Sequence, residues 1–479
     1  MLPHARNAFV LSDIHLGAAT SLLTAYDASP DGQVERRVSA KLFIGNLLDL
    51  LREQIGSDGP IDQCILLGDI FDFSFASYGL AMKNGYWFFQ ELAKSGLFKT
   101  FVYIPGNHDH HLWQQLIEHQ FVLNSLYQPA INHPKTLPPY ELIKNTFLDE
   151  LVPSDFSIAV TYPNYGVFIG GRPILFHHGH FLQPLYSAAS QLLSDVLETK
   201  DIEDLEAFNA PFLEFGWYNL GQAFNVGEYK LVDRLYHNVK SKSARDWGQA
   251  INRVLRLLIG KLEAWESQRI SHPVKRKLLQ TFFSPLRWVY HRFLQLVGPL
   301  VVRHFVMKRV RLFEQHMHAS TARHEPVGNS LKQTITDYIK RYLLSEANLA
   351  DDHHDMVFIF GHTHEPANDI ICRLDQQKAY ATTPRSLGSK ADSAETSQAK
   401  TLHLYNTGGW MVDQLTESDS LVIPKMNPLY IDPTGQIHSL PFLQTNYEFI
   451  EHLLETDPVY IKLKAQLASA AQIDRSTFV

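Results

Sequence analysis

The sequence predicts a layered α/β fold with parallel strand pairing, and two observations carry that expectation. Short apolar runs alternate with stretches of helical periodicity through the N-terminal part of the chain. Each run also ends in a cluster of Asp, Asn or His. Apolar runs of roughly four to eight residues separated by helix-period segments are the pattern of βαβ units, whose strands are buried on both faces.

Ala8 to Leu11 is the first such run and ends at Ser12-Asp13-Ile14-His15. Val38 to Leu51 places Leu42, Ile44, Leu47, Leu48 and Leu51 at helical spacing. Cys64 to Leu67 runs into Gly68-Asp69, and Tyr86 to Lys94 reads as helix. Phe101 to Ile104 leads to Pro105-Gly106-Asn107-His108-Asp109. Tyr165 to His178 reads as a hairpin turned by Gly170-Gly171, and it runs into His177-His178-Gly179-His180. From about Phe181 to Leu349 the period is helical. Strand character returns at Met356 to Phe360, before Gly361-His362-Thr363-His364, and at Thr401 to Tyr405, before Asn406-Thr407-Gly408-Gly409-Trp410. Leu429 to Ile431 and Ile437 to Leu440 flank the turn Pro433-Thr434-Gly435. Ser386 to Lys400 is polar and reads as a surface loop.

At 479 residues the chain exceeds what one core usually spans, so a second substantial unit is expected. Hydrophobic content of 45% and charged content of 19% are a globular balance. A net charge of -7 argues against a protein that coats nucleic acid with its whole surface. Cys64 and Cys372 are the only cysteines, which excludes a disulfide framework and an iron–sulfur or Cys-zinc site. Met1 to Val10 lacks the apolar stretch of a signal peptide, and no segment reaches the roughly 18–20 apolar residues that span a bilayer. A reducing, cytoplasmic location is the expectation.

The chemistry sits at the strand ends. In open α/β sheets, ligands bind beyond the carboxyl ends of strands. Five clusters obey that rule: Asp13/His15, Asp69/Asp72, Asn107/His108/Asp109, His178/His180 and His362/His364. Imidazoles and carboxylates suit zinc, iron or manganese. Asp13 and Asp69 against two divalent ions leave a surplus positive charge that attracts a phosphate. Two ions roughly 3.5–4 Å apart can clamp attacking and leaving oxygens and acidify a water. His108 is placed to serve as a non-ligand histidine. Each motif alone is a common surface turn; their joint, ordered occurrence is what points to a metal site. His110, His111, His353 and His354 read as solvated neighbours of the motifs.

These five motifs, in order, resemble those of the calcineurin-like metallophosphoesterase superfamily, over about residues 8–182 and 352–410. The resemblance implies an α/β/β/α sandwich with a large helical insertion. It implies a core of residues 1–182 and 346–445, an insertion or cap at 183–345 and a helical tail at 446–479. It implies that Asp13, His15 and His364 bind one metal, that Asp69 bridges, and that Asn107, His178 and His362 complete the second site. The ions would be manganese, with iron, zinc or magnesium as alternatives. His108 would stabilise the transition state or act as general acid, oriented by Asp109. Asp72 would be structural, and His180 would lie near the phosphate of the substrate. The implied reaction is attack of metal-bound hydroxide on the phosphorus of a phosphoester or phosphoanhydride. Asn406 to Trp410 resembles the segment that follows the last motif in the same superfamily.

The insertion carries basic residues interleaved with large apolar ones, among them Lys275-Arg276-Lys277, Trp288, Arg292, Phe293 and Arg303, with no acidic residue from Lys275 to Phe313. Such a stretch can lie on an anionic membrane surface, grip a lipid phosphate, bind nucleic acid, or simply pack. Lipid-linked substrates gain some support from a weaker similarity to UDP-diacylglucosamine pyrophosphohydrolases, which shares the flavour of Leu67-Gly68-Asp69-Ile70-Phe71-Asp72. His108 and His180 depart from the arginine and aspartate common there, and this insertion is much longer. A nuclease or cyclic-nucleotide phosphodiesterase is the alternative enzyme, and a non-catalytic metal-binding scaffold the alternative class. The oligomeric state is left open.

Overall fold

A computed structural model describes residues 1–28, 34–122, 126, 134–182, 202–219, 329–347, 349, 355–374, 400–414, 421–422 and 424–440. The basic–aromatic stretch, the tail at 446–479, the polar stretch at 386–399, and His353 and His354 lie outside the described residues. The chain divides into two compact units, one of Met1–Gly227 with Arg323–Val479 and one of Glu228–Ala322. All described residues belong to the first. Residues 202–219 and 329–345, at the ends of the expected insertion, are therefore in the same unit as the motif residues.

Two sheets form its middle. The first holds β1 (Ala8–Leu11), β2 (Ile61–Leu67), β3 (Phe98–Ile104) and β4 (Ile158–Val160), all parallel. Between them run α1 (Val38–Ile55), α2 (Tyr78–Lys94) and α3 (His110–Ile117). The second holds β5 (Asn164–Ile169), β6 (Arg172–His177), β7 (Asp355–Phe360), β8 (Ala367–Leu374) and β9 (Lys400–Asn406), in the order β8-β9-β7-β6-β5. Its three central strands, β9, β7 and β6, are mutually parallel. The chain then returns to the first sheet as β10 (Leu429–Ile431), which pairs antiparallel with β1, and β11 (Ile437–Ser439), which pairs antiparallel with β10.

Side-chain alternation along these strands builds the layers. Ala8, Val10, Ile65, Leu67, Val102 and Ile104 meet Val167, Ile169, Ile174, Phe176, Val357 and Ile359 between the sheets. Their neighbours Phe9, Leu11, Cys64, Leu66, Phe101 and Tyr103 face the other way, onto Phe43, Leu47, Phe88 and Leu92 of α1 and α2. On the far side Leu175, Met356, Phe358, Leu402 and Leu404 pack against Ile335, Ile339 and Leu343, which lie on the helical segment running from Asn329 to Glu346. The order is helix, sheet, sheet, helix, so the expected α/β/β/α sandwich is the fold.

Three elements depart from the sequence reading. Helix α2 begins at Tyr78, about two turns before the expected Tyr86, because Ser77 caps it by accepting from Leu80 N. Strand β4 has three residues, too few for a period. Strand β8 is an edge strand with an exposed face, a register shift between Ala367 and Ile370, and Asp369 at φ 48°.

Candidate metal centre

Both sheets aim the carboxyl ends of their parallel strands at one place, and the polar clusters occupy the turns just beyond. β1 delivers Asp13 and His15, β2 delivers Asp69 and Asp72, and β3 delivers Asn107 and His108. From the other sheet β6 delivers His178, and β7 delivers His362 and His364. Ligand-capable atoms of Asp13, His15 and His364 lie within 4.8 Å of one another, and those of Asp69, His178 and His362 do the same.

The backbone is strained to achieve this. Seven non-glycine residues among those described have positive φ, and five of them are Asp13, His15, Asp69, His362 and His364. Each such residue costs about 1–2 kcal/mol, so five together cost on the order of 5 kcal/mol or more, comparable to the whole stability of a small domain. Strain of that size persists only where the surrounding fold enforces it, and it marks a functional site. Close backbone approach is the second device: a Cβ on Gly106 would strike the Asp69 carboxylate, and one on Gly361 would strike Asp13.

Hydrogen bonds fix each side chain. His178 donates from Nδ1 to the Leu67 carbonyl at 3.0 Å, which leaves the lone pair of the neutral ring on Nε2. That lone pair faces Asp69 Oδ2 at 3.1 Å, Asn107 Oδ1 at 3.1 Å and His362 Nδ1 at 3.2 Å. His15 engages Asp72 Oδ2 through Nδ1 at 3.0 Å, so its Nε2 faces His364 Nε2 at 3.3 Å and Asp69 Oδ2 at 3.9 Å. Acceptors gathered around a lone pair repel one another unless a proton or a cation sits among them. A ring nitrogen held by a carbonyl or carboxylate, with the other turned inward, is how metal-binding histidines are oriented. Both oxygens of Asp13 lie 2.9 Å from His362 N, and the Ser12 hydroxyl also donates to this carboxylate. Asp69 Oδ1 accepts from His108 N at 2.8 Å, leaving Oδ2 between the two groups.

The electrostatics agree. Burial alone would depress the His178 imidazole, yet the Asp69 carboxylate lifts it to about 9. Burial likewise opposes charge on His108, and Asp72 and Asp69 lift it to about 9. Burial would raise Asp69, but His178, His108 and His15 pull it well below the usual carboxylate range. The carboxylates create a field that draws positive charge, and divalent ions fit the donor set on that ground.

Four residues are placed differently from the sequence reading. Asp109 was expected to orient His108, but it accepts from Gly106 N at 2.6 Å, Ile70 N at 2.7 Å and Phe71 N at 3.2 Å. It ties two strand-end turns together, because three amides converge on its carboxylate. The carboxylate at His108 Nδ1 is Asp72, 3.4 Å away. His180, expected to face phosphate, is fully buried, 3.3 Å from Glu206 Oε2 and 3.4 Å from Tyr162 OH. His110 and His111, read as solvated, each hold one oxygen of Glu214 at 2.8 Å through Nδ1. Glu206 and Glu214 carry no motif; their roles come from tertiary packing alone. His177 turns away from the centre, toward Phe181 and Tyr338, and leaves the inward position to His178. Trp410 N donates to the Asp13 carbonyl at 3.0 Å, which brings the Asn406–Trp410 segment against the site.

The family model for calcineurin-like phosphoesterases matches residues 7–255, more than half of the chain. The chain therefore belongs to the calcineurin-like phosphoesterase family and is a metallophosphoesterase, a hydrolase that works through divalent metal ions. Comparison with curated proteins finds no match. Among the described residues, no helix is long and apolar enough to cross a membrane.

Proposed function

We propose that the chain hydrolyses a phosphoester or phosphoanhydride at a pair of divalent cations. Asp13, His15 and His364 would hold one, and Asn107, His178 and His362 the other, with Asp69 shared. The single observation behind this reading is the set of inward nitrogen and oxygen lone pairs that face one another at 3.1–3.3 Å on a strained backbone. Manganese suits the mixed imidazole, carboxylate and carboxamide set. When bound, the two ions supply Lewis acidity and lower the pKa of water to near neutrality.

The protein's own groups supply the rest. His108 Nδ1 is steadied by Asp72, which leaves Nε2 to donate a proton to the departing oxygen. Asp72 itself accepts from Ser74 N at 2.9 Å and Phe75 N at 2.7 Å, so it is rigidly held while it serves both His15 and His108. Asp109 keeps the two turns in register. The ordered ligand set and the presence of His108 favour an enzyme over a binding scaffold.

For the substrate we favour a small or lipid-linked phosphoester over a nucleic acid or cyclic nucleotide. Support comes from the sequence: a stretch from Lys275 to Phe313 that is basic, aromatic and free of acid suits an anionic lipid surface. Such contact would place the protein at the inner face of the membrane. The test is hydrolysis of bis-p-nitrophenyl phosphate with added manganese and with chelator, alongside sedimentation with anionic liposomes. Manganese-stimulated turnover supports the enzyme reading; binding of two metals without turnover on any phosphoester favours a scaffold. Protein that stays in solution with liposomes removes the membrane reading.

A further inference from the structure

Two carboxylates outside the five motifs reach into the loops that carry them. Both lie on one segment, a helix from Ile202 to Phe212 that continues as π-helical turns from Leu213 to Asn219. Pro211 lacks an amide hydrogen and interrupts the regular ladder just before that change. Glu206 accepts from Tyr162 OH at 2.6 Å and lies 3.3 Å from His180 Nε2. Glu214 spans His110 and His111, one oxygen each, at 2.8 Å. Tyr218 stacks on the His111 ring with centroids 3.5 Å apart. Between the carboxylates, the His110 ring packs edge-on to Tyr162 at 5.2 Å.

The histidines so gripped are neighbours of particular ligand candidates. His180 stands two residues after His178, and His110 three residues after Asn107. Both Asn107 and His178 belong to the second cation group, whereas Asp13, His15 and His364 sit on other loops. His177, His180 and Glu206 also bring ligand-type atoms within 4.8 Å. The Gly179 amide donates to His177 Nδ1 at 2.7 Å, which puts that ring's proton on Nε2. His177 therefore turns no lone pair toward a cation, and within the trio the hydrogen bond runs between His180 and Glu206.

We propose that Glu206 and Glu214 are positioning residues for the second cation: the segment at 202–219 clamps the β3 and β6 exit turns at the spacing that Asn107 and His178 need. This inference rests on the two-cation reading above. Supporting partners behind metal ligands typically change affinity by about 10–100-fold. The clamp thereby makes residues 202–219 part of the frame that holds the second site.

The experiment is a manganese binding isotherm on the full chain, comparing wild type with the isosteric double variant Glu206→Gln/Glu214→Gln. The expected result is a second equivalent weakened by about tenfold or more, with the first changed less than about twofold. Equal weakening of both equivalents would indicate general loosening and overturn the clamp, as would two unchanged equivalents. Wild type that takes up no manganese would overturn the two-cation reading itself, and the clamp with it. Should the double variant fail to fold, Glu206→Gln alone and Tyr162→Phe carry the same selective effect at smaller size, and an unselective or absent effect in both overturns the clamp.

Discussion

The two sheets contribute different chemistry to the same site. The first supplies every ligand-candidate carboxylate, Asp13 and Asp69, together with His15, Asn107 and the neighbouring His108. The second supplies only imidazoles, His178, His362 and His364. The charge that would hold cations lies on one side, and the neutral donors that would complete their shells come from the other. Neither sheet alone gathers either group of ligand atoms. The buried interface between them, where Val10 and Leu67 meet Ile174 and Ile359, is thus what sets the spacing of the centre.

Replacing the shared carboxylate strikes this division hardest. Asp69→Asn is expected to lower kcat/KM for a chromogenic phosphodiester by about 10³-fold or more, since even supporting partners of metal ligands cost about 10–100-fold. Steady-state kinetics at saturating manganese checks it, and activity within tenfold of wild type would break the bridging role. His108→Ala is expected to reduce kcat by about 10²–10⁴-fold while metal content stays unchanged. A parallel loss of metal would make His108 a ligand. The comparison of sheets sharpens with a matched pair. Asp13→Asn should weaken manganese binding roughly tenfold more than His364→Gln, about 1.4 kcal/mol, because only the former removes a charge. Equal losses, measured by calorimetry, would deny the carboxylates their special part.

The smallest effect concerns Glu214. Burial would raise its carboxyl, but the His110 and His111 bonds bring it down from 4.5 to about 2. A carboxylate depressed in the folded state adds stability above its unfolded value, and that stability fades as pH falls through the folded one. With allowance for its partial exposure, wild type should exceed Glu214→Gln by about 1–2 kcal/mol near neutrality. The gap should close between pH 4.5 and about 2. Thermal unfolding across that range reads it, and a gap independent of pH would mean that the charge is not what Glu214 contributes.

Much of this was legible from the chain. Strand-end clusters follow from local patterns, so Asp13/His15, Asn107/His108 and His362/His364 stand out in the sequence and converge in the fold. What a local pattern cannot say is which of two nearby carboxylates faces a ring. Asp72 and Asp109 both flank His108, yet three amides capture Asp109 and leave Asp72 to the imidazole. Nor can it pair residues that lie 26 to 104 positions apart, which is why Glu206 and Glu214 were silent and His110, His111 and His180 were misplaced. The strand Ala367–Leu374 went unseen because an exposed edge with a bulge loses the apolar signature that buried strands show.

The most direct measurement is the metal content of the purified chain after saturation with manganese and removal of the excess, for wild type and Asp69→Asn side by side. Near two ions per wild-type chain, falling to one or fewer in the variant, is the predicted result. No retained metal in the wild type, or two ions in both proteins, would contradict a centre built on a shared carboxylate between the two sheets.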